Sequence, residues 1–225
     1  LSGSYWLPGK TKLRAHYGTA FRVPSVYELH GAFLSSFGRF EVGNPDLSPE
    51  RSQGFDFGIE KLFGRVGVGS SVFWDRFENR IEFIGGHYEN RPRQLETYGM
   101  ESFVDLEIIE NLSARAGYTE TFGDGLIDIS RHDISASLRL TGRLSGSLSA
   151  HWMSKRLINL FNADTFLIDI LEEKGRMTVD AVVSYQLDCL TQVFVKGENI
   201  FSEDYLEGGY RTPGARIYGG IKRRF

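Results

Sequence analysis

The stretch Arg131-His132-Asp133-Ile134-Ser135-Ala136-Ser137-Leu138-Arg139-Leu140-Thr141 decides how this chain is read. Apolar Ile134, Ala136, Leu138 and Leu140 alternate with polar Asp133, Ser135, Ser137 and Arg139. A period of two sends successive side chains to opposite faces of a pleated strand, so one face is apolar and the other polar. The pattern spreads in both directions. Downstream, Leu144, Leu148, Ala150 and Trp152 oppose Ser145, Ser147, Ser149 and His151, and Met177, Val179, Ala181, Val183 and Tyr185 oppose Thr178, Asp180, Ser184 and Gln186. Upstream, Tyr98, Met100, Val104, Leu106 and Ile108 oppose Glu101, Asp105 and Glu107. Segments 11–20, 52–62, 112–122, 191–199 and 214–225 obey the same rule, and 2–7 and 66–84 complete eleven expected strands. The best helix-period candidate, Phe166–Lys174, is short and lies in a connection. The fold class expected is all-β.

One strand breaks phase. In 66–84 the apolar positions run Val66, Val68, Val72, Trp74 and then Phe77, Ile81, Phe83. Either a bulge near Asp75 or a strand that leaves a membrane at that height explains such a switch.

Composition narrows the function classes. The 225 residues carry 26 Lys+Arg and 29 Asp+Glu, a net charge of −3, with 41% hydrophobic and 13% aromatic residues. Near-neutral charge without a basic run argues against nucleic acid as a partner. A single Cys, Cys189, builds neither a disulfide framework nor a Cys-rich zinc site. No run approaches the roughly 18 apolar residues of a membrane helix. Leu1–Lys10 has no basic start followed by an apolar run, so no signal peptide is expected in it.

Alternation alone leaves two readings, a soluble sandwich that buries its apolar face and a membrane barrel that turns it to lipid. The connections separate them. In chain order they are Pro8–Lys10, Phe21–Arg51, Phe63–Arg65, Gly85–Gln94, Glu110–Asn111, Gly123–Ser130, Gly142, Ser154–Gly175, Asp188–Leu190 and Ile200–Pro213. Short and long alternate throughout, as when one barrel end makes tight turns and the other carries extended loops. Aromatics sit where a lipid–water boundary would place them: Tyr17, Trp74, Tyr98, Tyr118 and Trp152 toward the long-loop end, Tyr5, Trp6, Tyr185 and Phe225 toward the short-turn end.

Three further stretches carry a resemblance. They are Tyr17-Gly18-Thr19-Ala20-Phe21-Arg22-Val23-Pro24-Ser25-Val26-Tyr27-Glu28-Leu29, Gly43-Asn44-Pro45-Asp46-Leu47-Ser48-Pro49-Glu50-Arg51-Ser52, and Glu198-Asn199-Ile200-Phe201-Ser202-Glu203-Asp204-Tyr205 followed by Gly209-Tyr210-Arg211-Thr212-Pro213-Gly214 and the closing Phe225. In this order and spacing they resemble the TonB-dependent outer-membrane receptors. The resemblance implies a bacterial outer-membrane, 22-stranded β-barrel plugged by an N-terminal domain. Residues 1–225 would be the C-terminal part of that barrel, with the plug, the first barrel half and the TonB box absent. It also implies Phe225 as the membrane-assembly signal read by the barrel assembly machinery. Arg223 stands where the family often has an aromatic, and a charge at the rim can reach water.

No enzyme is expected. His16, His30, His87, His132 and His151 have no metal-ligand spacing, and neither a nucleophile elbow nor a phosphate-cradling loop is present. Gly67 and Gly69, inside a strand, are expected to give a neighbour room. Asp164, Asp169, Glu172 and Glu173 lack Ca²⁺-ligand spacing and read as a solvated loop, so no metal or cofactor is expected. Ligand contacts must then come from the long loops, where aromatics and Arg suit recognition. Three groups qualify: His87, Tyr88, Arg91 and Arg93; Lys155, Arg156, Phe161 and Phe166; and Tyr205, Tyr210 and Arg211. Arg would suit an anionic ferric siderophore, aromatics the corrin ring of cobalamin. Arg14, Asp56, Glu60, Arg115, Arg139 and Asp180 are expected to face the lumen. The function expected is import of a ferric siderophore or cobalamin, energised by a TonB-type partner from within an outer-membrane lipid environment. A passive porin and a soluble all-β binding module are the alternatives.

Overall fold

The computed structural model describes residues 1–35, 38–124, 126–162, 167–207 and 210–224. In chain order the strands are β1 (Ser2–Leu7), β2 (Thr11–Arg22), β3 (Ala32–Ser35), β4 (Gly38–Glu41), β5 (Glu50–Phe63), β6 (Val66–Glu78), β7 (Ile81–Ile84), β8 (His87–Asn90), β9 (Leu95–Ile109) and β10 (Leu112–Gly123). They continue as β11 (His132–Leu140), β12 (Leu144–Met153), β13 (Arg156–Asn162), β14 (Leu167–Glu173), β15 (Arg176–Gln186), β16 (Thr191–Glu198), β17 (Leu206–Glu207), β18 (Tyr210–Arg211) and β19 (Arg216–Arg223). One sheet of eleven strands holds β1-β2-β5-β6-β9-β10-β11-β12-β15-β16-β19 in chain order, each pair antiparallel. The remaining strands form four two-stranded hairpins, β3–β4, β7–β8, β13–β14 and β17–β18, all within long connections. The short connections are tight turns: Pro8–Lys10 is a three-residue loop closed by the Leu7–Thr11 pair, in which Gly9 and Lys10 both adopt positive φ, 80° and 58°.

Register fixes the faces. Ala136 lies opposite Ala116 and Ala150, Leu138 opposite Ala114 and Leu148, so the apolar sets of neighbouring strands share one face. The polar sets share the other, which is concave: Arg14, Glu60, Glu101, Asp105, Arg115 and Asp133, from five strands, line one trough of about 600 Å³. Phe103 crosses that face over Gly69, where a Cβ would come within 2.4 Å of the ring, so Gly69 does give a neighbour room.

The apolar face has nothing of this chain against it. Leu138 is 40% exposed and Leu148 47%. Among the described residues the buried apolar side chains are Val42, Leu47, Ile81, Ile158 and Val179, and all but Val179 lie in the long connections. A water-soluble sheet does the reverse, because apolar area left in water costs roughly 25 cal/mol per Å². A continuous apolar face outside a polar concavity fits a lipid surround.

Three expectations change in detail. Pairing of β6 with β5 and β9 is continuous from Val66 to Phe77, so no bulge occurs near Asp75. The strand instead ends at Glu78, and Asn79, with φ of 55°, redirects the chain into β7. Trp6 shares the polar face with Lys12, whose ammonium lies 5.9 Å from its ring, whereas Tyr5 faces lipid; adjacent residues cannot both join one belt. The stretch 167–173, read as part of a loop, is the strand β14. The one helix among the described residues is α1 (Val26–His30), five residues long and fixed by a capping box between Ser25 and Glu28.

Ala136→Arg, at the middle of the lipid face, is expected to destabilise the folded barrel by about 2–4 kcal/mol, whereas Ser137→Arg on the concave face costs under about 1 kcal/mol. Denaturant unfolding in bilayers, followed by heat-modifiable gel mobility, measures both.

Candidate functional site

The candidate residues gather at the long-loop end, where the loops are tied to one another by side chains. In the first tie, Arg22 at the end of β2 donates through Nε to Glu50 (2.6 Å) and through Nη1 to Glu28 (2.9 Å). Glu28 also accepts from the Ser25 amide, and Glu50 from the Ile81 amide at 2.8 Å. Two of the quoted motifs, far apart in sequence, thus meet on one guanidinium, which holds them to the β7–β8 hairpin. Asn44 adds to this by donating to the Tyr88 carbonyl (3.0 Å) while accepting from the Asp46 amide. Asn90 closes it, accepting from the Ser48 amide and donating to the Ser48 carbonyl. The Arg22 hydrogen bond holds the Glu28 carboxyl down to about 2.

The second tie is a buried ion cluster. Arg156, Glu173 and Arg176 have side chains only 9%, 9% and 8% exposed. Glu173 pairs with Arg156 at 2.9 Å and with Arg176 at 3.3 Å, and it accepts from the Leu206 amide at 2.8 Å. Burial pushes its carboxyl up, but the Leu206 amide and the two guanidinium groups outweigh that and hold it below the usual range. Arg156 also donates to the carbonyls of Asp128 and Leu206, and Arg176 stacks 3.7 Å from the centre of the Tyr205 ring. Loops 124–131, 154–175 and 199–215 are therefore locked together. In the last of these, Asn199 bonds Glu203 through both amide atoms, at 2.8 and 2.9 Å, which explains its place in the closing motif.

Against this frame the candidates divide. Tyr88 is framework: its backbone is held by Val42 and Asn44, and its ring meets Tyr27 and Phe83. Arg156 and Tyr205 belong to the buried cluster. Arg91 pairs with Glu82 and His87 with Glu89 on the β7–β8 hairpin. Arg93, Lys155 and Arg211 form exposed pairs with Asp124, Glu172 and Asp204. Tyr210 is 81% exposed. Phe161 lies in β13 and its side chain is outside the described residues, as are Phe166, Phe225 and Asp164 altogether. Glu173, read as solvated, is in fact buried between Arg156 and Arg176, whereas Glu172 is exposed as expected, in its pair with Lys155. Sequence reasoning passed over Arg22, Glu28, Glu50 and Arg176; the first three stood in quoted motifs, and nothing local marks Arg176.

The expected lumen charges all lie on the concave face. Arg14 pairs with Glu60 (3.5 Å), Arg115 with Asp105 (3.3 Å) and Asp56 with His16 (3.3 Å), while Asp180 accepts from the Asn199 amide. Arg139 lies opposite Ser113 and Ser147.

With sheet, loop order and motif contacts in place, comparison with known proteins decides the family: the description "TonB dependent receptor-like, beta-barrel" matches residues 4–200. The chain belongs to the TonB-dependent receptor family. It is an outer-membrane β-barrel protein. It is similar to the "Iron-regulated outer membrane virulence protein" of Vibrio cholerae, at 24% identity over 238 residues that take in 92% of this chain and 36% of that protein. The chain thus spans about a third of that relative's length. Among solved structures it resembles a ferric enterobactin receptor of Pseudomonas aeruginosa (18% identity, 99% of this chain and 39% of that one, TM-score 0.77). It also resembles the siderophore receptor PirA of Acinetobacter baumannii (16%, 99% and 40%, TM-score 0.77) and the copper transporter OprC (18%, 99% and 39%, TM-score 0.76).

Two outcomes test the receptor's loop ties. Glu173→Ala leaves the buried Arg156 guanidinium without a carboxylate and Arg176 with Glu207 alone, at a cost of about 3–5 kcal/mol; protease cleavage in 124–131, 154–175 and 199–215 is expected to rise together, with the sheet unaffected. Because the Glu28 carboxyl is depressed in the folded state from 4.5 to about 2, its contribution is complete above pH 4.5 and disappears as pH falls toward 2. Proteolysis of 23–49 by an acid-active protease is expected to rise over that window, and Glu28→Gln is expected to be cut readily at every pH.

Proposed function

We propose that these eleven strands are the C-terminal half of a 22-stranded, plugged barrel that binds a ferric siderophore at its long loops and imports it with energy from a TonB-type partner. Strand parity supports the closure. With eleven antiparallel strands, β1 and β19 run the same way, so closing the sheet takes an odd number of further strands whose first and last both run opposite to β1 and β19. Eleven more satisfy this, and they place both ends of the complete chain on the short-turn side, as in bacterial barrels of even count. The polar trough would then receive the plug, with the Arg14–Glu60 and Arg115–Asp105 pairs able to exchange partners as it moves.

The observation that carries the ligand assignment is the set of exposed cations and aromatics held at the long-loop end by a rigid underlying frame. Arg93, Lys155 and Arg211 are engaged in exposed ion pairs, which are worth little and exchange readily for a ligand's anionic oxygens. Tyr210 beside Arg211 offers an apolar plane with a polar edge. An iron chelate built on carboxylate, catecholate or hydroxamate oxygens matches this chemistry, and the named relatives include iron-regulated and siderophore receptors. No group of this chain is assigned a catalytic step.

In the complete receptor, Arg211→Ala with Tyr210→Ala is expected to weaken binding of the cognate ferric siderophore by about tenfold or more, the loss of a charged hydrogen bond and a stacking plane. Labelled-iron binding and uptake in an iron-limited strain, screened over chelates of the three oxygen types, measure this. Saturable binding of labelled cobalamin with no response to any chelate would reverse the ligand assignment.

A further inference from the structure

We infer that the short-turn rim of this receptor is a binding belt for anionic phospholipid headgroups of the periplasmic leaflet. The inference rests on the outer-membrane placement given above and goes beyond it by naming the headgroup charge and the residues that read it.

The cations of the chain are treated differently at its two ends. Toward the long loops Arg22, Arg93, Arg156, Arg176 and Arg211 each have a carboxylate partner, and of the cations there Arg51 and Lys174 have none among the described residues. At the short turns Lys10, Lys61, Arg65, Arg143, Arg223 and Arg224 are all exposed, and none has a carboxylate partner among the described residues. The carboxylates in those turns are Glu110 and Asp188, and Asp188 is already occupied, accepting from the amides of Leu190 and Thr191 at 2.8 and 2.9 Å. Those contacts, the Leu190 amide foremost, hold its acid group below the usual range and engage its Oδ1, and among the described residues it makes no ion pair with any cation of the rim.

Geometry puts these cations at the edge of lipid. Lys61 pairs in register with Val68 and Arg223 sits two residues beyond Ile221, both on the apolar face. The Lys61 ammonium lies 4.7 Å from the Phe63 ring and the Arg143 guanidinium 5.2 Å from the Tyr185 ring. Aromatic rings at a membrane boundary set the depth of what stacks on them, so these charges are held where acyl chain gives way to headgroup. Arg143 also donates to the carbonyls of Gln186 and Leu187, and Arg65 reaches the Ile108 carbonyl. Their guanidinium planes are thereby steadied with donors to spare. A row of steadied, unneutralised cations at that depth is complementary to phosphodiesters that carry a net negative charge.

The test uses the complete receptor in bilayer discs of equal phosphatidylglycerol and phosphatidylcholine, extracted in mild detergent, with retained lipids counted by native mass spectrometry. Each cation near an anionic surface favours it by about fivefold. Retained phosphatidylglycerol is therefore expected to exceed phosphatidylcholine by at least about fivefold in the wild type and by under about twofold in K61Q/R65Q/R143Q/R223Q. Should the quadruple variant not fold, single R143Q and R223Q carry the test, each expected to lower the excess by about half. R91Q/R93Q/R211Q, at the other end, is expected to keep the full excess. No excess in the wild type, or an unchanged excess in the short-turn variants, overturns the inference. Wild type that shows heat-modifiable mobility in phosphatidylcholine alone keeps the barrel reading whichever way the lipid counts fall. Failure to insert into either lipid overturns both.

Discussion

The rest of the structure depends on a constraint of the solvent. In hydrocarbon no water is available to hydrogen-bond the backbone, so each strand must give its amides and carbonyls to a neighbour. The eleven strands do so in chain order, without a crossover, and the outward side chains are left to meet lipid. Hydrophobic burial therefore holds the sheet from outside rather than from a core. The few apolar side chains that this chain buries itself lie almost wholly in the long connections, the part that has to stand in water.

Those connections are held by a different physics. Freed from the ladder, they are fixed by hydrogen-bonded charges: Arg22 joining Glu28 and Glu50, and Glu173 joining Arg156, Arg176 and the Leu206 amide. A buried charge left unpaired is far costlier than a lost surface pair, so each cluster makes its loops cooperative. Residues spent in this way, Arg156 and Tyr205 among them, become the frame that presents the exposed side chains, Tyr210 and Arg211 among them. The same accounting separates the two ends of the barrel. The loop end matches most of its cations internally, while the turn end leaves Lys10, Lys61, Arg65, Arg143, Arg223 and Arg224 for its surroundings.

Much of this was legible in the residues. Alternation in 131–141 and its neighbours gave the faces, the order of short and long connections gave the two ends, and the lumen charges Arg14, Asp56, Glu60, Arg115, Arg139 and Asp180 lie on the concave face as the pattern implies. Phase carries less information where the chain leaves the sheet. The switch after Trp74 comes from Phe77 facing inward and from a turn at Asn79, not from an added residue. Adjacent aromatics mislead in the same way, since Tyr5 and Trp6 necessarily point apart. The hairpins β3–β4, β7–β8 and β17–β18 escaped because their strands are too short to show a period, and β13–β14 because its apolar residues fall in adjacent pairs rather than alternating.

What the sequence determined by itself was therefore what depends on neighbours in the chain: strand, face, turn, and the direction in which each strand runs. Which loop charges meet was decided only in three dimensions. Arg22 finds Glu50 from 28 residues away, and Arg156 reaches the Leu206 carbonyl from 50. Such bonds act over about 3 Å. Only the register of the whole sheet, which sets where each loop leaves and returns, brings those atoms within that distance.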